Sequence, residues 1–581
     1  MWSRRAAAQK RRLTPLGPRS TSPRGTPLAR APPQEPNISA ARLATSRLLL
    51  ALLTFTAIGG GMVSGCAGGC DGQGGDAVSL VPVESRAVVV IPRSETLRQR
   101  MVAFLAGVEG ASGLIELVDA RFGVDLSTED GLRRVGLDPS GGFAIFEHEG
   151  AVALTASVVS AERFAALVAN RAEKGAGATV RRLDDAAGLA GVADGPPATP
   201  EPSAPPAWRL AFGAARDGIG LVVLTGGEQD PEAPWRTLAS GAGGFAASAP
   251  ATAAAGALAE AAGLYAVVRG APPMPDGLGT AGAFVKPVLS KLSLWTGAAM
   301  LTDDRLSLRV HGAWEGEGEL PAGWLVAPDA PAPLAEVFPK ALTAFARLRF
   351  DAGRVRGLPG FLRNAVIPPV FPGAVGARLP TPPELLDLAT GELAVAVLGL
   401  DPDTSVEQMV QAARRPETFL QQLHSAAGLR VRDAAAAKAL LDRAADGLRT
   451  DGFAVDALAR GGYAGYSVRR DKPQREVWSL LLKGDALVLL SGEGEAERFL
   501  DVADGRGVNV ATAAQETLGA ELLAGGGPSL GILLTFPRVT RELADKGLPP
   551  YFLKLINDIR ALGVSLGVRG DGVDLGLEVT L

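Results

Sequence analysis

"SLVPVESRAVVVIPRSETLRQRMVAFL" (residues 79–105) and "EVFPKALTAFARLRFDAGRVRGLPGFL" (residues 336–362) decide how this chain is read. Laid over one another, Pro82 meets Pro339, Ala87–Ile91 meets Ala344–Leu348, and Phe104-Leu105 meets Phe361-Leu362. Short apolar runs bounded by turn residues are strand signals. The same succession returning far along the chain predicts a tandem duplication.

Further blocks follow in the same order. "GGFAIF" (141–146) answers "GELAVA" (391–396), and "SAERFAALV" (160–168) answers "RPETFLQQL" (415–423). "GIGLVVLTG" (218–226) answers "GDALVLLSG" (484–492), and "GLYAVV" (263–268) answers "SLGILL" (529–534). "GAAMLTDDRLSLRV" (297–310) answers "GVSLGVRGDGVDLGL" (563–577), and the last three blocks start at one common offset. The expected fold is α+β. It consists of two tandem divergent copies, each a mostly antiparallel sheet with helices packed on one face. Ser160 is placed to cap a helix over 161–173, and Thr381 one that starts at Pro382. Ser127 and Asp130 stand at capping-box spacing. Asp303-Asp304 and Gly570-Asp571-Gly572 read as hairpin turns.

This frame sets the domain expectations. Copy one spans 78–314 and copy two 335–581, joined by a linker over 315–334. The Pro-rich run 194–207 reads as a long hairpin loop inside copy one, because copy two has three strands with a short loop at the matching place.

Ahead of the body, residues 1–40 are a basic, Pro- and Arg-rich leader that reads as disordered. Within residues 1–47, ten Lys and Arg face a single acid, Glu35. Residues 41–65 carry Arg42 and Arg47, then the apolar Leu48–Ile58, then three glycines, which is the layout of a secretory signal. Residues 66–77 read as a Gly-rich tether. The competing reading of 48–63 is a single uncleaved membrane anchor, although the segment is short of the ~20 residues needed to span.

Val63-Ser64-Gly65-Cys66 resembles the lipobox of bacterial lipoproteins. The resemblance implies cleavage before Cys66 and lipid attachment to its sulfur. It also implies an envelope location facing the periplasm, with Ala67 favouring the outer over the inner membrane. Cys70, the only other cysteine, is flanked by residues that match a lipobox poorly. A metal or redox role for the pair lacks the CxxC spacing and a second ligand pair.

Chemistry in the body is sparse. Gly527-Pro528-Ser529-Leu530-Gly531 has the G-x-S-x-G form, but a strand follows and no histidine lies after Ser529. "LVLLSGEGEAERFL" (487–500) has Glu497 where a dinucleotide site needs glycine. His148, between Glu147 and Glu149, sits on a strand whose neighbours point to opposite faces, so the three cannot converge on a metal. Arg569–Asp571 (RGD), Asp184-Asp185 and Asp303-Asp304 read as turns. Trp208, Trp235, Trp295, Trp314, Trp324 and Trp478 show no interleaving with basic residues, which argues against nucleic acid. His311 and His424 are isolated in sequence.

"VPVESRAVVV" (81–90) with "GLDPS" (136–140) resembles duplicated bacterial envelope proteins of unknown function. Nothing catalytic is carried over from that resemblance, and no catalytic residue, cofactor or metal is expected. The expectation is therefore a lipid-anchored periplasmic protein acting by binding or scaffolding with an envelope protein partner. The alternatives are a carrier of an apolar ligand such as a lipid, held between sheet and helices of each copy, and a hydrolase. The Ala-rich "ATAAAGALAEAAG" (251–263) hints at room for a ligand.

Overall fold

The computed structural model describes residues 76–107, 128–183, 185–197, 206–216, 218–241, 243–258, 262–270, 290–314, 323–325, 334–357, 378–400, 404–405, 423–470, 476–518, 521–523, 527–545, 553, 557–569 and 572–581. The leader, the signal segment with its alternative anchor, Cys66, Cys70 and nearly all of the tether lie outside them. So does most of the linker.

The first elements are β1 (Ala87–Ile91), α1 (Ser94–Ala106), α2 (Glu129–Arg134), β2 (Phe143–His148), β3 (Ala151–Ser157), α3 (Ala161–Asn170), β4 (Thr179–Arg182), β5 (Leu189–Asp194), β6 (Trp208–Arg216) and β7 (Ile219–Gly226). After these come α4 (Glu232–Ser240), α5 (Ala249–Leu258), β8 (Ala262–Arg269), β9 (Leu292–Leu301) and β10 (Arg305–Trp314). The chain continues with β11 (Ala344–Arg349), α6 (Ala352–Gly357), α7 (Pro382–Leu388), β12 (Ala389–Leu400), β13 (Leu423–Val431), α8 (Ala434–Thr450), β14 (Ala454–Arg460), β15 (Tyr463–Arg470), β16 (Glu476–Lys483) and β17 (Ala486–Ser491). It closes with α9 (Glu495–Ala503), α10 (Val510–Leu518), β18 (Leu530–Thr535), α11 (Phe536–Asp545), β19 (Ala561–Arg569) and β20 (Gly572–Thr580).

Among the described residues all twenty strands belong to one sheet, and every pairing between them is antiparallel. From one edge the order is β4-β5-β6-β7-β3-β2-β1-β8-β9-β10. β10 then pairs with β20, and the order continues β19-β18-β11-β12-β13-β17-β16-β15-β14. Read outward from the β10–β20 seam, the two halves thus have one strand order, with β1 in the place of β11 and so on through β10 and β20. Pro82 and Pro339 also make matching isolated bridges, to Gly244 and Asn509.

Helices cover both faces of each half, which corrects the expectation of one covered face. On one face α4 and α5 bring Trp235, Leu238, Ala251, Ala254 and Leu258 onto Val88, Ala144, Leu221 and Val223. The corresponding α9 and α10 bring Phe499, Leu500, Val510, Ala514 and Leu518 onto Phe345, Ala394, Val488 and Leu490. On the opposite face Phe164 of α3 meets Ala156 and Val158, and Ala437, Leu441 and Leu448 of α8 meet Leu429, Leu487 and Leu489. The cause is visible in β17, where "ALVLLS" is buried at all six positions. A strand with no polar alternation must be covered on both sides.

Local signals behave as physics requires. The Ser160 side chain accepts from Arg163 N and starts α3. Both the backbone N–H and the hydroxyl of Thr381 donate to the Glu384 carboxylate at the start of α7. The α2 cap is Thr128, whose Oγ1 accepts from Gly131 N at 3.0 Å, and not the expected Ser127, which lies outside the described residues. Of the block 415–423 set against 160–168, residues 415–422 lie outside the described residues. The helix that follows β13, as α3 follows β3, is α8, capped by Asp433, whereas Leu423 already begins β13. Ala77, assigned to the tether, is 1% exposed and packs as part of the body. β5 and β6 pair on either side of the Pro-rich run, with Pro197 bridged to Pro206. Among the described residues no helix is long and apolar enough to cross a membrane.

Candidate functional site

The site is built on the seam. β10 and β20 pair from Arg305 opposite Thr580 to Ala313 opposite Gly572. Because side chains alternate, Ser307, Arg309 and His311 share a face with Asp574, Gly576 and Glu578. The flanking strands add Thr296 and Ala298 from β9, which stand opposite His311 and Arg309. They also add Gly563, Ser565 and Gly567 from β19, opposite Glu578, Gly576 and Asp574. This strip is poor in side-chain volume, and helices α5 and α10 flank it.

A cavity of about 760 Å³ lies over the strip, lined by Arg309, His311, Asp574, Gly576 and Glu578, by Ala253, Ala254 and Ala257 of α5, and by Leu522 and Arg349. That volume is within the range of small-molecule sites. Both halves contribute, so the room left by the small residues of 251–263 opens at the junction and not inside one half.

His311 Nδ1 lies 2.8 Å from Asp574 Oδ1, its direct cross-strand partner. Gly572 makes space for the ring, since a Cβ there would stand 2.9 Å from His311 Cε1 and 2.2 Å from Gly312 O. The carboxylate fixes the ring and leaves Nε2 as its other polar atom. Glu578 Oε2 is buried and has no hydrogen-bond partner among the described residues. Burial pushes the Glu578 carboxyl above its ordinary value, opposed by Arg305 and Arg309. Arg309 is exposed and makes no side-chain hydrogen bond or ion pair among the described residues, while Arg305 Nη2 donates to Thr517 O of α10 at 3.4 Å.

The residues singled out from sequence sit elsewhere or in structural roles. Ser529 is buried at the start of β18, its carbonyl accepting from Arg349 N at 2.6 Å and its Oγ from Val568 N at 3.4 Å. Gly492, in the glycine pair after β17, has φ 112°, and a Cβ there would stand 2.5 Å from the His424 ring. The imidazole fills the place a diphosphate would need. Glu495 is buried beside Arg498 at 3.0 Å and His424 at 3.5 Å, and Glu497 pairs with Arg460. Glu147 pairs with Arg86 at 3.2 Å, away from His148 and the turn residue Glu149. Among the described residues no group of three His, Cys, Asp or Glu could hold a metal ion.

His311, Arg309, Asp574 and Glu578 carried no signal in sequence. The residues of the His311–Asp574 pair are separated by more than 260 positions, and no local pattern announces a seam. The common offset of the last blocks was also slightly wrong. Tyr265 and Gly531 are equivalent, but their partners Ala298 and Ser565 are one residue further apart. In a strand, one residue exchanges the faces, so the offset would have aimed these side chains away from the cleft.

No family model and no curated protein matches the chain. Among solved structures it is similar to those described as "Structure of crystal form III of TP0453" and "Structure of crystal form I of TP0453". Identity is 8% in both cases, with TM-scores of 0.26 and 0.25. The matches cover 43% of this chain and 84% and 83% of those chains, and scores this low carry no argument about fold or function.

Proposed function

We propose that the chain is an envelope protein, anchored through lipid on Cys66 and facing the periplasm, that acts by binding and performs no catalysis. In this reading it is a tandem duplication of an α+β unit, with copies over 78–314 and 335–581, and its ligand sits in the cleft at the junction. The repeated strand order supports the duplication. The observation that carries the binding function is the 760 Å³ cleft, whose floor includes Gly563, Gly567 and Gly576, whose α5 wall is alanine, and whose lining residue Glu578 has a buried carboxylate oxygen, Oε2, without a hydrogen-bond partner among the described residues. Buried polar atoms in native proteins are almost always satisfied, so an unsatisfied carboxylate oxygen on a residue that lines a cavity suits a ligand donor.

Ala253 and Ala257 line the cleft one helical turn apart and are exposed, so they can be enlarged without disturbing the core. The full chain is purified from membranes in mild detergent and examined by native mass spectrometry. Bound small molecules are expected on the wild type and not on the Ala253→Trp/Ala257→Trp variant. Equal occupancy of the two proteins, or no bound molecule on either, refutes the reading.

A further inference from the structure

Besides Arg349 and the His311–Asp574 pair, whose members hold each other, two unlike charged groups line the cleft. Glu578 offers a buried carboxylate oxygen with no hydrogen bond among the described residues. Arg309 offers a guanidinium with no ion pair there, two register steps along the opposing strand from Ser307, which faces Glu578. Arg309 stands opposite Gly576, so no side chain from that position occupies the space before it. The α5 side of the lining is aliphatic, with Ala253, Ala254 and Ala257, and Leu522 joins it, while His311, Asp574 and Arg349 line the floor.

We infer that the seam cleft takes a zwitterionic amphiphile, its ammonium on Glu578, its anionic group on Arg309 and its apolar body along the alanine face of α5. This rests on the reading of the cleft as a ligand site. An ammonium supplies the donor that Glu578 Oε2 lacks, and a phosphate or carboxylate supplies the acceptors for Arg309. Charge-assisted bonds of this kind are the strong ones in a partly desolvated site. A purely anionic lipid would meet Arg309 but leave Glu578 unsatisfied and repelling it. A purely cationic one would leave Arg309 unmatched.

The test uses the full chain in detergent and three probes: dihexanoyl phosphatidylethanolamine, dihexanoyl phosphatidylglycerol and glycerophosphoethanolamine, each titrated calorimetrically. The ethanolamine lipid is expected to bind about tenfold more tightly than the glycerol lipid, one charge-assisted contact's worth. Glu578→Gln should erase that preference, and Arg309→Gln should weaken both lipids. The head group alone should bind far more weakly than its lipid. Equal affinity of wild type for both lipids overturns the zwitterion assignment while leaving the cleft as a ligand site, and it needs no variant. Head group and lipid binding alike would reassign the site to a soluble zwitterion and overturn the amphiphile. If no lipid binds, yet the enlarged-alanine variant still loses a co-purified molecule, this inference fails and the proposed function survives.

Discussion

Arg347 Nε lies 2.8 Å from Glu392 Oε1 between β11 and β12, and both side chains are sealed from solvent at 1% and 2% exposure. Burial pushes the Glu392 carboxyl up and the Arg347 guanidinium down, each opposed by its partner, and Leu334 N also donates to Glu392. The first half has no such pair. In the matching registers, Val90 faces Ala144 as Arg347 faces Ala394, and Gly142 holds the place of Glu392. Glu392→Ala removes the buried carboxylate that Arg347 and Arg430 share and is expected to cost about 3–5 kcal/mol. Arg347→Met/Glu392→Leu is expected to cost much less, or to stabilise. Denaturant melts of the three proteins decide this, and additive losses would contradict it.

Glu578 should make stability fall as pH rises. Its folded-state carboxyl titrates above its ordinary 4.5 because it is buried. Between the two values the folded protein holds a proton that the unfolded chain has released. Stability is therefore full below pH 4.5 and declines up to the raised value. Glu578→Gln removes the decline. In thermal melts without ligand, the variant should be more stable than wild type at pH 8 and no different at pH 4.

Gly572→Ala should damage the seam. Its Cβ would meet Gly312 O at 2.2 Å, a backbone atom that cannot step aside, besides the His311 ring. At Gly576 the nearest atom is Ser565 Oγ at 2.3 Å, the end of a rotatable side chain. A loss of about 2–3 kcal/mol is expected for Gly572→Ala and a smaller one for Gly576→Ala. Hydrogen exchange should show the β10 and β20 amides opening in the first variant.

Trp235 is fully buried beneath α4, and its Nε1 donates to Leu221 O at 3.1 Å. Trp235→Phe should cost about 1 kcal/mol beyond packing, for the lost hydrogen bond. Trp235→Ala should cost about 3–5 kcal/mol. Chemical denaturation monitored by circular dichroism measures both.

The proposed anchor predicts that a fatty-acid analogue fed to cells labels the wild-type protein and not Cys66→Ser. Label that persists in the variant would move the attachment to another residue, with Cys70 the first to examine.

Much of the fold could be read locally. β1 begins and ends where the run Ala87–Ile91 does, and the Ser160 cap lies where its spacing places it. Apolar content in "ALVLLS" was equally plain, but the inference of one covered face ignored the missing alternation. The helix after β13 was not matched with α3 because Asp433 and Ser160 share a capping role and not a residue type. The candidate site was beyond reach for a different reason. Arg309, His311, Asp574 and Glu578 become neighbours only when two distant hairpins pair edge to edge, and ladder pairing leaves no mark in either segment alone.

That pairing also fixes an order of events. β20, nine residues long, is the last strand of the chain described and lies in the middle of the sheet. Until it is in place, β10 and β19 each present a bare row of backbone donors and acceptors, the template on which strands of other chains add. The sheet is therefore most exposed to misassembly before β20 docks, and loss of that one strand would uncover two edges at once.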